Sequence, residues 1–221
     1  MACGKGGGLE VTSICHFQTA ASVLAHRLPR SAKPPSRILP QGGIKMHVGE
    51  IMTADCANGI GIRVTVFVSG CRNHCPGCFQ PETWDFDYGK LYTPEMEDEI
   101  IKELSHPYYD GLTLLGGDPM EESNQEGLLP LLQRIHKELP EKNIWAYTGY
   151  LYDRDLVPGG RKYIPGVTDK YLDLIDVLVD GPFVEAQKKI TLNFRGSSNQ
   201  RIIDLKETRK AGTIVLDPLN N

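Results

Sequence analysis

The chain has 221 residues, of which 40% are hydrophobic and 24% are charged, the composition of an ordinary globular protein with one domain. No stretch approaches the roughly 18 consecutive apolar residues that a membrane-spanning helix needs, so we expect no membrane partner. The formal net charge of −4 argues against nucleic acid as a partner, because surfaces that bind nucleic acid are usually basic.

The first 45 residues differ from the rest in composition and charge. Six of the 24 basic residues but one of the 28 acidic residues lie there, which leaves 18 basic and 27 acidic residues in 46–221. This segment is rich in Gly, Ala, Ser and Pro. We expect residues 1–45 to be a disordered extension or a mis-annotated start, with an organelle transit peptide as a third alternative, and residues 46–221 to be the folded domain.

From residue 46 onward, apolar β-branched runs alternate with helical patterns. We expect a strand at 63–68, a helix at 94–104 with Thr93 as N-cap, a strand at 112–115, a helix at about 124–139, a strand at 144–147, a short helix around 171–174, and strands at 177–179 and 201–203. Strands separated by helices predict parallel βαβ units, and the chain is too short for eight of them. The predicted fold class is therefore α/β, with an incomplete barrel or an open parallel sheet.

In such folds the functional residues collect at the carboxyl ends of the parallel strands. The predicted strands place four loops at this end of the sheet, at 69–79, 116–120, 148–150 and 180–183. The motifs described next lie in these loops, so we expect the functional site there.

Cys71, Cys75 and Cys78 form a CxxxCxxC pattern in the first loop. Cysteines so close together do not pair sensibly as disulfides, which favours a metal site in a reducing, cytoplasmic compartment. A [4Fe–4S] cluster fits, because compact loops supply its thiolates and three thiolates leave one iron open for a bound molecule. Pro76 and Gly77 keep the loop from closing early into a helix, so that the sulfur atoms can converge.

Two other kinds of site compete with this interpretation. Structural zinc needs four ligands, so His74 or Cys56 would have to complete the set. A ferredoxin-like electron carrier needs a fourth regularly spaced cysteine, and the others are Cys3, Cys15 and Cys56. His74 lies inside the loop and Cys56 precedes the strand at its opposite end, which weakens both alternatives. We expect Cys56 to be a small packed side chain.

Gly116-Gly117-Asp118-Pro119 directly follows a predicted strand. Such a turn is common at strand ends, but next to the cysteine loop it indicates a ligand site. Two residues without Cβ atoms let a ligand approach the backbone. Their carbonyl oxygens and the Asp118 carboxylate would accept hydrogen bonds from a ligand ammonium group.

The cysteine pattern followed by the GGDP turn resembles the radical S-adenosylmethionine superfamily. Further segments narrow the resemblance to the activating proteins of anaerobic ribonucleoside-triphosphate reductases; these segments are 58–59, 67–71, 75–79, 145–150, 179–183 and 195–200. The likeness covers about 46–206. It departs from the pattern at Gly77, where many superfamily members have an aromatic residue that is here Phe79, and at Ile60, where the family often has Pro.

The resemblance implies a site, a reaction and partners. The implied site residues are the cluster ligands Cys71, Cys75 and Cys78, the S-adenosylmethionine contacts Gly77, Cys78 and Phe79, and the contacts of its methionine part Gly116, Gly117 and Asp118. The implied reaction is reductive cleavage of S-adenosylmethionine at a [4Fe–4S] cluster, which generates a glycyl radical on the large subunit of the reductase. A one-electron donor such as flavodoxin would supply the electron.

Several assignments stay open at this point. Arg195, Ser197 and Asn199 would hold a ligand, grip the partner, or form a polar turn that enters a strand. Trp145 and Tyr147 are expected in the core. The alternatives for function are activation of another glycyl-radical enzyme and a non-catalytic iron–sulfur or zinc module. Larger activases of the former kind often carry further cysteines, and none follows Cys78.

Overall fold

The computed structural model describes residues 45–220, so the prediction for residues 1–45 lies outside this range except at Lys45. Within it, seven strands form one sheet with the order β3-β1-β2-β4-β5-β6-β7. The strands are β1 (His47–Asp55), β2 (Arg63–Val68), β3 (Lys90–Leu91), β4 (Gly111–Gly116), β5 (Asn143–Tyr147), β6 (Val177–Asp180) and β7 (Arg201–Asp204). The α-helices are α1 (Pro94–Leu104), α2 (Glu122–Glu138), α3 (Tyr152–Asp155), α4 (Thr168–Asp173) and α5 (Leu205–Ala211).

The centre of the sheet is parallel, as the alternation of strands and helices predicts. Strands β2, β4, β5 and β6 pair in parallel, and β1 and β3 extend the sheet in antiparallel orientation on the β2 side. Because β3 and β7 form two separate edges, the sheet is open rather than a closed barrel. The α/β class and the open sheet are confirmed.

The predicted parallel arrangement does not extend to β7, which pairs antiparallel with β6. A parallel neighbour requires a crossover that carries the chain back to the starting end of the sheet. The connection 181–200 contains a short 3-10 helix (Glu185–Gln187) and no α-helix, and it returns directly to pair Arg201 with Asp180. It therefore stays at the carboxyl end of the parallel strands.

Local sequence signals set two element boundaries. The predicted strand at 63–68 and the predicted helix at 94–104 have the bounds of β2 and α1. The Thr93 hydroxyl accepts a hydrogen bond from the Met96 backbone N–H at 3.4 Å, and Pro94 occupies the first helical position. Helix α2 begins two residues before the predicted start, and β1 and β3 were not predicted.

The main hydrophobic core lies on the face of the sheet that α1 and α2 cover, here called the outer face. Val64, Val66 and Val68 alternate along β2 and pack in one buried cluster with apolar side chains of α1 and α2. Helix α2 contributes Leu128, Leu131, Leu132 and Ile135, which share one helical face because of their spacing. None of the helices between residues 45 and 220 is long and apolar enough to cross a membrane.

The opposite face of the sheet is partly polar. Arg63 is fully buried there, and its guanidinium donates to the Thr113 hydroxyl and to the Leu112 carbonyl oxygen, both at 2.6 Å. Burial lowers the pKa of Arg63 to about 10. A smaller apolar cluster of Trp145, Val179 and Ile202 completes this face, which leads into the loops at the carboxyl ends of the strands.

Candidate iron–sulfur and ligand site

The four predicted loops meet around one cavity of about 400 Å³ at the carboxyl ends of β2, β4, β5 and β6. This volume lies in the range of small-molecule sites in proteins. The lining includes every site residue predicted from the sequence: Cys71, Gly77, Cys75, Cys78, Phe79, Gly116, Gly117 and Asp118. The structure thus brings the cysteine loop and the glycine turn together.

The cysteine loop makes a tight turn and no α-helix between Cys71 and Cys78. The Cys78 backbone N–H donates to the Cys75 carbonyl oxygen at 3.0 Å, and Gly77 has a φ of +72°, which favours glycine at this position. The His74 ring stacks on Trp84 at a centroid distance of 4.7 Å. The loop geometry agrees with the expected effect of Pro76 and Gly77.

Two of the three sulfur atoms are buried enough to change their proton affinity. Burial raises the pKa of the Cys71 thiol to about 12, and the nearby Asp118 carboxylate raises it further. Backbone N–H groups of Asn73 and His74 donate to this sulfur and oppose the shift. Burial also raises the pKa of Cys75, while the Phe183 N–H lowers it.

These amide donors fit a metal-bound thiolate, because hydrogen bonds to the sulfur atoms are a means by which proteins tune iron–sulfur clusters. Between residues 45 and 220, no three His, Cys, Asp or Glu side chains converge on a point where one metal ion would bind. A cubane cluster presents a separate iron to each thiolate, so its ligands surround a volume and need not converge on one point. The residues present therefore fit a cluster.

The two glycines of the turn are required by the fold itself. Gly116 has a φ of +107°, and a Cβ atom there would lie 2.7 Å from the Val68 carbonyl oxygen. A Cβ atom on Gly117 would lie 2.6 Å from the Gly70 carbonyl oxygen and 2.9 Å from that of Thr83. The missing side chains thus allow the cysteine loop to pack against the turn, in addition to the ligand approach expected from the sequence.

Asp118 connects the cysteine loop to the loop after β5. Its carboxylate is buried and accepts hydrogen bonds from Asn73 Nδ2, the Gly149 N–H, the Thr148 hydroxyl and the Met120 N–H at 2.8–2.9 Å. Burial raises the pKa of Asp118 to about 7, while three of these donors lower it. Each carboxylate oxygen already accepts two hydrogen bonds within the protein, which gives Asp118 a role in positioning both loops.

The polar strip at 195–200 holds the turn that follows β6. The Gln200 side-chain amide donates to the Gly181 carbonyl oxygen at 3.1 Å, and that of Asn199 donates to the Pro182 carbonyl oxygen at 2.7 Å. The Ser197 hydroxyl accepts from the Val184 N–H at 3.1 Å. These contacts explain the strip as a scaffold for one wall of the cavity.

The predictions for Trp145, Tyr147 and Cys56 have different outcomes. Trp145 is buried in the core as expected, whereas Tyr147 packs beside it and also lines the cavity. The prediction that Cys56 is packed is wrong, because it is exposed in the loop after β1. Asn73 and Thr148 were not predicted as site residues, since nothing in their local sequence shows that both contact Asp118.

Known proteins resemble this chain over the same region. A family model described as a 4Fe–4S single cluster domain matches residues 57–203. An anaerobic ribonucleoside-triphosphate reductase-activating protein of Salmonella typhimurium is 42% identical over 163 residues, which cover 73% of this chain and 100% of the relative. Proteins of the same name from Haemophilus influenzae and Enterobacteria phage T4 are 43% and 36% identical over 159 residues, which cover 71% of this chain and 97% and 93% of those relatives. The chain belongs to the family of anaerobic ribonucleoside-triphosphate reductase-activating proteins.

Proposed function

We propose that this protein cleaves S-adenosylmethionine reductively at a [4Fe–4S] cluster and thereby generates a glycyl radical on the large subunit of an anaerobic ribonucleotide reductase. The observation that carries the proposal is the meeting of Cys71, Cys75 and Cys78 with the Gly116–Gly117 turn on one cavity. Family membership supports the reductase as the partner.

In this proposal Cys71, Cys75 and Cys78 would hold the cluster, and S-adenosylmethionine would bind beside it in the same cavity. When bound, the cluster would supply the electron that cleaves the sulfur–C5′ bond of S-adenosylmethionine, with methionine and a 5′-deoxyadenosyl radical as the products. That radical takes the Cα hydrogen of the target glycine, which gives 5′-deoxyadenosine and the glycyl radical.

The chain's own contribution is to bind, orient and exclude water. The carbonyl oxygens of Gly116 and Gly117 would accept from the methionine ammonium group, and Gly77 and Phe79 would line the nucleoside part. Asp118 holds the cysteine loop and the loop after β5 in a fixed relation through its four hydrogen bonds. Such fixed geometry favours reaction of the bound molecule over reaction with solvent.

The mouth of the cavity suits a macromolecular substrate. Phe79 on the cysteine loop and Ile190 on the β6–β7 connection are each 94% exposed, more than any other large apolar side chain of the described residues. Lys188 adds a positive charge to the lining. Phe79 lines the cavity, and an exposed apolar side chain at this place supports a protein partner that approaches there. We propose that the electron donor is a protein such as flavodoxin and that the site of action is the cytoplasm.

The test is anaerobic reconstitution with iron and sulfide, followed by a dithionite-dependent assay for 5′-deoxyadenosine. We expect methionine and 5′-deoxyadenosine in equal amounts, and a glycyl EPR doublet when the large reductase subunit is added. A non-catalytic iron–sulfur or zinc module would give neither product. An EPR doublet only with a different glycyl-radical enzyme would assign the protein to another partner.

The ligand assignment predicts the outcome of a pair of cysteine variants. Cys75→Ala should lose both the cluster absorbance and the cleavage reaction, because one of three protein ligands is removed. Cys56→Ala is the matched control and should keep both, since Cys56 is exposed at the opposite end of the sheet. Cleavage by Cys75→Ala at the wild-type rate would refute the assignment of Cys75.

A further inference from the structure

A second buried carboxylate, Glu121, lies three residues after Asp118 and immediately before α2. Its side chain has no exposed surface. Its Oε1 accepts hydrogen bonds from the Arg72 backbone N–H at 2.9 Å and from the Tyr150 hydroxyl at 2.5 Å. Asp118 and Glu121 thus both connect the cysteine loop to the loop after β5. In the cysteine loop, Asp118 contacts Asn73 and Glu121 contacts Arg72.

The other oxygen of Glu121 faces two cations. Lys162 Nζ lies 2.7 Å from Oε2 and is 7% exposed, so the pair is buried. The Arg72 guanidinium also contacts Oε2 and lies over the Phe86 ring, 4.5 Å from its centroid. A buried carboxylate is stable only when it is paired and fully hydrogen-bonded, and the Glu121 carboxylate meets both conditions.

These contacts act on the segment that bears the first cysteine. Arg72 directly follows Cys71. The Glu121 carboxylate accepts hydrogen bonds from both the backbone N–H and the guanidinium of Arg72. Within residues 71–79 one hydrogen bond joins backbone to backbone, from Cys78 to Cys75, besides the N–H donors to the Cys71 sulfur. The loop therefore takes its position largely from groups outside it: the Cys71 N–H donates to the Trp84 carbonyl oxygen at 3.2 Å, and the next residue, Arg72, is held by Glu121.

We infer that Glu121, paired with Lys162, is a positioning residue that holds the Cys71–Arg72 segment in the place where it receives the cluster. This inference rests on the proposed function in assigning a cluster to the cysteine loop. It adds a connection from the cysteine loop to the segment after α3, where Lys162 lies.

The experiment compares three variants with the wild-type protein. Glu121→Gln removes the charge while keeping the shape of the side chain. Glu121→Gln/Lys162→Met also removes the buried cation that the first change leaves with one ion-pair partner, Glu122, at 3.5 Å. Arg134→Met is the matched control, because it removes ion pairs to Glu97 and Asp98 at 2.8 and 2.7 Å between α2 and α1, on the outer face of the sheet.

Three quantities are measured on each protein. The first is the thermal midpoint of unfolding of the cluster-free protein. The second is the rate at which the reconstituted protein loses iron to a chelator. The third is the rate of alkylation of Cys71 in the cluster-free protein, identified by peptide mass spectrometry, since Cys71 is only 8% exposed.

We expect Glu121→Gln to lose iron on the order of tenfold faster than wild type, because removal of groups that orient metal ligands has effects of this size. The double variant should regain thermal stability relative to the single variant, because it also removes the buried ammonium group that has lost its 2.7 Å ion pair. Its rate of iron loss and the rate at which its Cys71 is alkylated should still be about tenfold higher than those of wild type. Arg134→Met should be less stable but match wild type in both rates.

Two results would overturn the inference: wild-type rates in the double variant, or rates in Arg134→Met as fast as those in Glu121→Gln. If Glu121→Gln does not fold, Tyr150→Phe removes one donor to Glu121 and should raise both rates by a smaller factor; unchanged rates would contradict the inference. A wild-type protein that takes up no iron would refute the proposed function. The alkylation rates of the cluster-free proteins would still test the positioning role.

Discussion

The buried cations Arg63 and Lys142 at one end of the parallel strands and the buried carboxylates Asp118 and Glu121 at the other end are held by different kinds of group. At the amino ends, Arg63 and Lys142 are buried cations whose partners are mostly backbone carbonyl oxygens; Lys142 Nζ lies 2.7 Å from that of Tyr109 and 3.2 Å from that of His106. At the carboxyl ends, Asp118 and Glu121 are buried anions that accept hydrogen bonds from N–H and O–H groups.

The direction of the helices favours the same placement of charge, although the hydrogen-bond partners of these side chains lie in strands and loops. In a βα unit the helix begins at the carboxyl end of its strand and ends at the amino end. Helix N-termini carry free N–H groups and partial positive charge, and helix C-termini carry free carbonyl groups and partial negative charge. Arg63 and Lys142 at the amino ends are satisfied within the scaffold, whereas Asp118 and Glu121 at the carboxyl ends depend in part on Asn73 and Arg72 of the cysteine loop. Only the second arrangement connects stability to the site.

The largest effect on stability should come from the amino end. Arg63→Met removes the N–H groups that donate to the Leu112 carbonyl oxygen and to the Thr113 hydroxyl. Because these acceptors are then left without that donor, the free energy of unfolding should fall by about 3 kcal/mol. Urea denaturation measures the change, with Lys170→Met as the control on the exposed surface of α4. The Cys71 alkylation rate of the native protein should not change; a large increase would break the distinction between the two ends.

A smaller loss of stability with a larger effect on the site should follow from Gly117→Ala. The new Cβ atom would overlap the Gly70 and Thr83 carbonyl oxygens, which belong to the backbone and have to move. We expect a loss of about 1–2 kcal/mol together with faster alkylation of Cys71. Gly127→Ala, inside α2, is the control, since the nearest atoms to a Cβ atom there belong to the Met46 side chain and not to the backbone. Equal alkylation rates in the two variants would show that the turn does not position the loop.

The smallest effect on stability should come from Asp155, because the two arginines that pair with it are largely exposed to solvent. Burial would raise the pKa of Asp155, but hydrogen bonds from Arg154, the Leu151 N–H and Arg161 lower it to about 2. Because the pKa is lower in the folded state, this stabilisation is present above about pH 4 and is lost as the pH falls towards 2. Since both arginines are more than half exposed, we expect about 1 kcal/mol.

Unfolding of wild type and Asp155→Asn at pH 7 and pH 2.5 measures this contribution. The variant should be less stable than wild type at the higher pH and nearly equal to it at the lower pH. A difference that persists at pH 2.5 would assign the effect to packing rather than to the charge of Asp155.

Much of the fold is encoded in local signals. The β-branched run of β2 and the Thr93-Pro94 start of α1 gave correct bounds, because their patterns are strong and belong to buried elements. Strand β1 was not predicted, since Gly49 and Glu50 interrupt its apolar pattern and half of it is exposed. The direction of β7 depends on where the connection 181–200 runs, which no local pattern reports.

The candidate site shows the same division between local and long-range information. The spacing of Cys71, Cys75 and Cys78 and the glycine turn identified one cavity from the sequence. Glu121 carries no comparable signal, because its partners Arg72 and Lys162 lie 49 and 41 residues away along the chain. The residues that orient the cysteine loop can be identified only from the folded structure, in which segments distant along the chain contact each other.

Phe79 has a consequence for how this molecule divides its stability from its interactions. With 94% of the side chain in water, the ring adds almost nothing to the hydrophobic stabilisation of the isolated fold. The same exposure would favour unwanted self-association if such rings were numerous. Any free energy that this ring contributes must therefore be gained after folding, when another molecule removes it from water.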